Sequence, residues 1–199
     1  MRKLGMVLLV LGFMVTVVSC GPRGFVRGSY DDVRRDNLLT DTWSESDMQQ
    51  AVQQLSASLM RHPAIANASR PPVVLLNRIR NHTGEHIDTH SILDMLRVEV
   101  SREGRLVFVD GEARDDIAAE YEYQHSGMVS AETAKGPGGQ VGADFMLTGR
   151  MESIEQRAGR DKTVYYKLTL NLTNLQTSLI LWTDYKEIRK VFRKQRVGL

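Results

Sequence analysis

The sequence predicts an α/β domain with a mixed sheet, a C-terminal antiparallel three-stranded meander and helices packed on it. Three observations carry this reading. Apolar residues recur at helical spacing through the first half of the chain, they alternate with period two through the second, and the change falls near Ala143. The segments joining the three late strands, Gln156 to Lys162 and Asn174 to Ser178, are of hairpin length, so these strands pair as neighbours.

Ahead of the domain lies a stretch of different character. Arg2 and Lys3 precede an apolar run from Met6 to Val18, too short to span a bilayer comfortably, and Val17-Val18-Ser19-Cys20 follows. This resembles the lipobox of bacterial lipoproteins, in which a cysteine is acylated through its sulfur and becomes the mature N-terminus. Residues 1–19 are therefore expected to be a signal peptide and Cys20 the lipidation site, with palmitate among the acyl chains. Cys20 is the only cysteine, so no internal disulfide can form and the fold must stand on its core. Gly21 in the next position resembles the outer-membrane sorting preference. Residues 21–43 are polar, with Gly, Asp, Arg and Ser interspersed and no apolar period, the composition of a flexible linker. Fully extended, such a segment reaches at most about 80 Å.

The elements of the domain, residues 44–190, follow in order. Ser44 and Asp47 form a capping box for a helix whose Met48, Val52, Leu55 and Leu59 make one apolar stripe, ended by Pro63. Pro71-Pro72 introduces a buried strand, Val73 to Ile79, followed by a polar loop from Arg80 to Asp88. Asp88 or Thr89 caps a second helix with Ile92, Leu93, Leu96 and Val100 inward, and Gly104 marks its end. A short strand, Leu106 to Asp110, precedes a third helix whose Ala113, Ile117 and Tyr121 form the inward face. Glu112, Asp115 and Asp116 belong at its N-terminus, where the helix dipole favours acids without any catalytic purpose. A further short helix is expected over Ser130 to Lys135, then the Gly136-Pro137-Gly138-Gly139 loop. In the second half Phe145, Leu147 and Met151 alternate with polar neighbours, Val164 to Thr173 alternates still more cleanly, and a last strand runs from Leu179 to Ile188.

Composition narrows the function. Without residues 1–19 the chain carries 24 Lys or Arg against 24 Asp or Glu, a neutral balance that argues against nucleic acid as a partner. From Arg157 onward there are ten basic and three acidic residues, and Arg189 to Arg196 reads as a solvated basic tail, the part past the domain being 191–199.

Candidate chemistry is sparse. His82, His86 and His90 stand four apart with Glu85 among them, but Gly84 and the loop between strand and helix break the helical spacing that would stack three imidazoles, so no metal site is expected. The glycine loop enters a strand instead of a helix and lacks the Gly-Lys-Ser/Thr ending of a phosphate loop. The pairs Asp115/Asp116 and Glu120/Glu122 do not converge on one substrate. No nucleophile elbow occurs, and the triplets beginning at Asn67, Asn81 and Asn171 are coincidental glycosylation matches. The reading is of a non-enzyme with no cofactor and no small-molecule substrate.

Three stretches point to a family. Asn77-Arg78-Ile79-Arg80-Asn81-His82-Thr83-Gly84-Glu85-His86-Ile87-Asp88-Thr89 resembles the strand, loop and helix start of LpoB-type penicillin-binding protein activators. Trp182-Thr183-Asp184-Tyr185-Lys186-Glu187-Ile188-Arg189-Lys190 is similar to that family's last strand, and Gly142 to Gly149 to its strand entry. The resemblance implies a fold related to the TolB N-terminal domain. It further implies an outer-membrane lipoprotein, anchored on the periplasmic side, that docks onto a class A penicillin-binding protein and stimulates peptidoglycan synthesis without chemistry of its own. Another cell-envelope assembly or secretion lipoprotein with a CsgG- or TolB-like domain is the alternative. The chain departs from enterobacterial members in its linker, which is short and holds only Pro22. The candidate partner-binding residues are Arg80, Asn81, His82, Glu85 and His86, since polar loops carry recognition. A structural reading stands beside this: Asn81, Thr83, Asp88 and Thr89 can instead satisfy backbone groups at the strand end and helix start.

Overall fold

The structure, a computed structural model, describes residue 32 and residues 39–194. Cys20, the signal segment and most of the linker lie outside the described residues, as does the chain after Lys194.

The elements run α1 (Glu45–Arg61), α2 (Pro63–Ala66), β1 (Val73–His82), α3 (Thr89–Ser101), β2 (Val107–Val109), α4 (Arg114–Tyr123) with a wide turn Gln124–Met128, then β3 (Phe145–Ala158), β4 (Asp161–Asn174) and β5 (Ile180–Arg193). They build one five-stranded mixed sheet in the order β2-β1-β3-β4-β5. β1 pairs in parallel with β2 and β3, and β3, β4 and β5 form the expected antiparallel meander. The parallel neighbours require crossovers, which α3 and the α4 region supply.

One face of this sheet is the core. Leu147 and Met151 of β3, and Val164, Tyr166, Leu168, Leu170 and Leu172 of β4, are buried there, with Ile79 from β1 and Trp182 from β5. α1 and α3 cover them with the stripes Ala51, Val52, Leu55, Leu59 and Ile92, Leu93, Leu96, Val100. Burying a large aliphatic side chain of this kind contributes about 1.5–3 kcal/mol. The predicted capping box is present: Ser44 Oγ accepts from Asp47 N at 3.4 Å while Asp47 Oδ2 accepts from Ser44 N at 2.8 Å. β3 and β4 join through Gly159-Arg160, where Gly159 has φ 60°, a left-handed conformation that glycine adopts without steric cost.

Several expectations need correction. β1 continues to His82, because Asn81 and His82 still pair with Met151 and Glu152 of β3. Polar side chains there did not end the strand, since Arg80 and His82 lie on the sheet's open face. α4 buries none of its residues; Ile117 and Tyr121 are only partly covered, and its N-cap Ala113 accepts no side-chain hydrogen bond. No helix forms over Ser130 to Lys135: Thr133 N and Ala134 N both donate to Ser130 O at 3.1 Å, one turn and no more. β5 extends to Arg193, held by pairing of Asp161 with Arg193, so residues 191–193 belong to the domain and the basic run Arg189 to Arg193 is strand. Lys190, assigned to a solvated tail, is buried. The domain also begins before Ser44, as the contacts of Asp41 to Trp43 show.

Candidate functional site

Two features of the described residues hold the candidate site: the loop that follows β1, and the open face of the sheet beside it. The loop is held from below by a buried polar network. Lys190 of β5 points to the core side and donates to Asp47 of α1, and to Thr42 O at 2.8 Å. Both charged groups are buried, so each supplies the counterion the other needs. The Lys190 ammonium also lies 5.7 Å from the ring centroid of Tyr166. The Tyr166 hydroxyl, in turn, donates to Glu85 in the loop. Burial, reinforced by that carboxylate, pushes the Tyr166 phenol far above its ordinary range, so it remains a donor. The second Glu85 oxygen accepts from Trp43 N at 2.9 Å, and the Trp43 ring meets Tyr166 edge-on at 5.5 Å.

The chain entering α1, the β1–α3 loop and the two last strands are thus tied together at one end of the core. Asp41 adds an ion pair with Lys162 of β4 at 2.7 Å. Asp41 to Trp43, expected from sequence to belong to a flexible linker, are thus fastened to the domain.

The candidate partner residues fall into two groups. Asn81 and Glu85 are spent on internal contacts. Asn81 Oδ1 accepts from Thr83 N at 2.9 Å and Thr83 Oγ1 at 2.7 Å, and its Nδ2 donates to Glu85 O at 2.9 Å. Asp88 caps α3 by accepting from His90 N and Ser91 N, and the Ser91 hydroxyl bonded to it holds its carboxyl below the usual range. Arg80, His82 and His86 are exposed. Arg80 and His82 lie on β1, while His86 stays in the loop and His90 opens α3, 3.5 Å from Glu112. Among the described residues, no three His, Cys, Asp or Glu side chains gather as metal ligands would.

The open face of the sheet carries a broader set of charged and aromatic side chains than the loop does. Arg78 and Arg80 from β1, Arg150 from β3, Lys167 from β4 and Arg189 from β5 stand on it, against Glu152 and Glu187. Tyr165 and Tyr185 add aromatic area. The Lys167 ammonium sits 4.6 Å from the Tyr185 ring centroid, and the Tyr165 hydroxyl donates to Glu187 at 2.7 Å, which pushes the Tyr165 phenol up to about 12. Sequence reasoning named Arg80 but missed Arg78, Arg150, Lys167 and Arg189 as its companions. The period-two alternation already placed Lys167 opposite the core face; what it could not supply was the strand order that sets β1 beside β3.

A mixed α/β domain with α1 and α3 on one face of its sheet and a cationic, aromatic opposite face defines the class. The chain belongs to the LpoB family, peptidoglycan-synthase activators, whose model matches residues 47–188. No curated protein sequence matches it. Among solved structures it is similar to the C-terminal domain of LpoB from Salmonella enterica, at 16% identity and TM-score 0.43, covering 71% of this chain and 98% of that one. The LpoB C-terminal domain from Escherichia coli gives 16% identity and TM-score 0.44 with the same coverage. Lipoprotein GNA1162 from Neisseria meningitidis gives 16% and 0.39, covering 64% of this chain and 89% of that one.

Proposed function

We propose that this protein is a lipid-anchored periplasmic activator that binds a class A penicillin-binding protein and raises its peptidoglycan-synthesis rate by contact, without catalysing a reaction itself. Membership of the activator family over residues 47–188 carries the reading. The lipobox-like run ending at Cys20 supports attachment to the outer membrane, and no helix among the described residues is long and apolar enough to cross a membrane. The domain then works by being held near the synthase and presenting a surface to it. The test is a binding and rate measurement: the full chain in detergent, mixed with a purified class A synthase from the same cell, should form a complex and increase glycan polymerisation. No complex and no rate change would end this reading. Cys20→Ser, expressed in cells, should leave the domain folded but move it from the membrane fraction to the soluble one; a variant still sedimenting with membranes would remove the lipid anchor from the account.

A further inference from the structure

We infer that the cleft between β1 and β3 on the open sheet face is a carboxylate-binding site, and that its occupant is an acidic segment of the protein partner. The inference rests on the activator reading and adds to it the place and chemistry of docking.

The cleft encloses about 340 Å³ and is lined by Arg78, Arg80 and His82 of β1, Thr148 and Arg150 of β3, and Asn171 of β4. Its charge is only partly compensated from within. Arg80 and Arg150 are direct neighbours in the β1–β3 register, a like-charge juxtaposition that a sheet normally avoids. Among the described residues no carboxylate lies within 4.0 Å of Arg78 or Arg80, and Arg150 has only Glu152, at 3.6 Å. The β1 backbone arranges this convergence. The β1–β3 register shifts between Leu76 and Ile79, so Asn77 and Arg78 together face the single position Thr148. Leu76 and Ile79 keep their core contacts, while Arg78 and Arg80 both reach the open side.

The neutral groups agree with the charged ones. Asn171 Oδ1 is occupied by the Thr183 hydroxyl at 2.6 Å, so the amide presents its N–H₂ as the free end. Guanidinium forks, an amide donor and the Thr148 hydroxyl form a set of donors that matches an anionic oxygen pair, and bidentate arginine contacts are the strong form of that match.

A protein occupant is favoured by what surrounds the cleft. It opens onto a sheet face where Tyr165, Tyr185, Lys167 and Arg189 continue the cationic and aromatic character across β4 and β5. Arginine and tyrosine are the residues enriched where protein partners bury area. Opposite charge on the partner would also speed encounter, with the salt sensitivity that such steering brings.

The experiment compares four full-length chains for binding to the purified class A synthase: wild type, Arg80→Glu/Arg150→Glu, Arg80→Lys/Arg150→Lys, and Arg114→Glu as an exposed charge reversal outside the cleft. Thermal melts run in parallel check that each variant is folded. The proposal expects the double reversal to weaken binding by about 100-fold or more, the lysine pair by about 10-fold, and Arg114→Glu to change little, with unchanged melting temperatures. Should the double reversal prove unfolded, Arg78→Gln and the lysine pair read the same site with less disturbance. Wild-type binding with an undiminished double reversal overturns the cleft but leaves the activator reading intact. Wild-type failure to bind any synthase ends both. Phosphatidylglycerol vesicles and purified peptidoglycan form the remaining arms. Loss of sedimentation with either, alongside unaltered synthase binding, would assign the cleft to lipid or murein and overturn the proposal.

Discussion

Lys190→Met removes the cation at the centre of the network that binds α1, the entry segment and the β1–α3 loop to the sheet. Lys190 and Asp47 are 3% and 4% exposed, so water cannot replace the lost partner. What remains is a carboxylate with one donor, Ser44 N at 2.8 Å, and a Thr42 carbonyl that keeps only the Thr40 hydroxyl at 3.2 Å. Breaking a buried pair from one side costs about 3–5 kcal/mol, because a charge stays desolvated and uncompensated. For a domain of this size that corresponds to a fall in melting temperature of roughly 10–15 °C. Urea unfolding followed by circular dichroism gives the free energy. The companion Lys190→Met/Asp47→Leu removes both charges; it should recover most of the loss, short of the roughly 1 kcal/mol lost with the capping box. A single variant destabilised by less than 1 kcal/mol, or a double variant worse than the single, would refute the claim that this pair is desolvated and mutually dependent.

Tyr166→Phe deletes the hydroxyl that donates to Glu85 while keeping the ring against Trp43, and should cost about 1.5–3 kcal/mol by urea unfolding, the range for a hydrogen bond to a charged group. Gly149→Ala places a Cβ 2.6 Å from Leu170 Cδ2 and 2.8 Å from Thr169 O; since one of these is strand backbone, about 1–3 kcal/mol of destabilisation should appear in the same assay. Acid should destabilise the domain modestly in a defined window. Asp88, beside the Ser91 hydroxyl, Asp41 and Glu155, beside the Lys162 ammonium, and Asp161, beside the Arg193 guanidinium, all titrate below the ordinary carboxylate range. Their contribution is complete above the unfolded carboxylate values, about 4, and disappears as pH falls through the lower folded ones. Melting temperatures should hold between pH 7 and 5 and drop below about 4, and Asp88→Asn, which keeps a capping oxygen, should shallow that drop.

Much of this architecture was legible in the residues. The stripe of α1, the cap at Ser44, the alternation of β4 and the helix of Ile92 to Val100 each follow from local spacing, and the structure places them as expected. Legibility failed where a side chain's partner lay far along the chain. Lys190 reads as one basic residue in a basic run, and only its pairing with Asp47, 143 positions earlier, makes it a core residue. The internal partners of Glu85, Trp43 and Tyr166, come from either side of it in sequence and are equally hidden from local spacing. Arg80 to His82 are polar and so read as loop, yet the solvent face of a strand tolerates polarity as long as its backbone is paired. The cleft was beyond reach from sequence, because its arginines come from two strands separated by two helices and a short strand.

In the proposed function this chain acts by touching a synthase. Glycan polymerisation by the purified class A penicillin-binding protein, followed in detergent with increasing full-length chain, tests it most directly. A saturable increase in rate is expected, abolished by Arg80→Glu/Arg150→Glu and retained by Arg114→Glu. A rate that stays flat at every concentration of wild-type chain would contradict it.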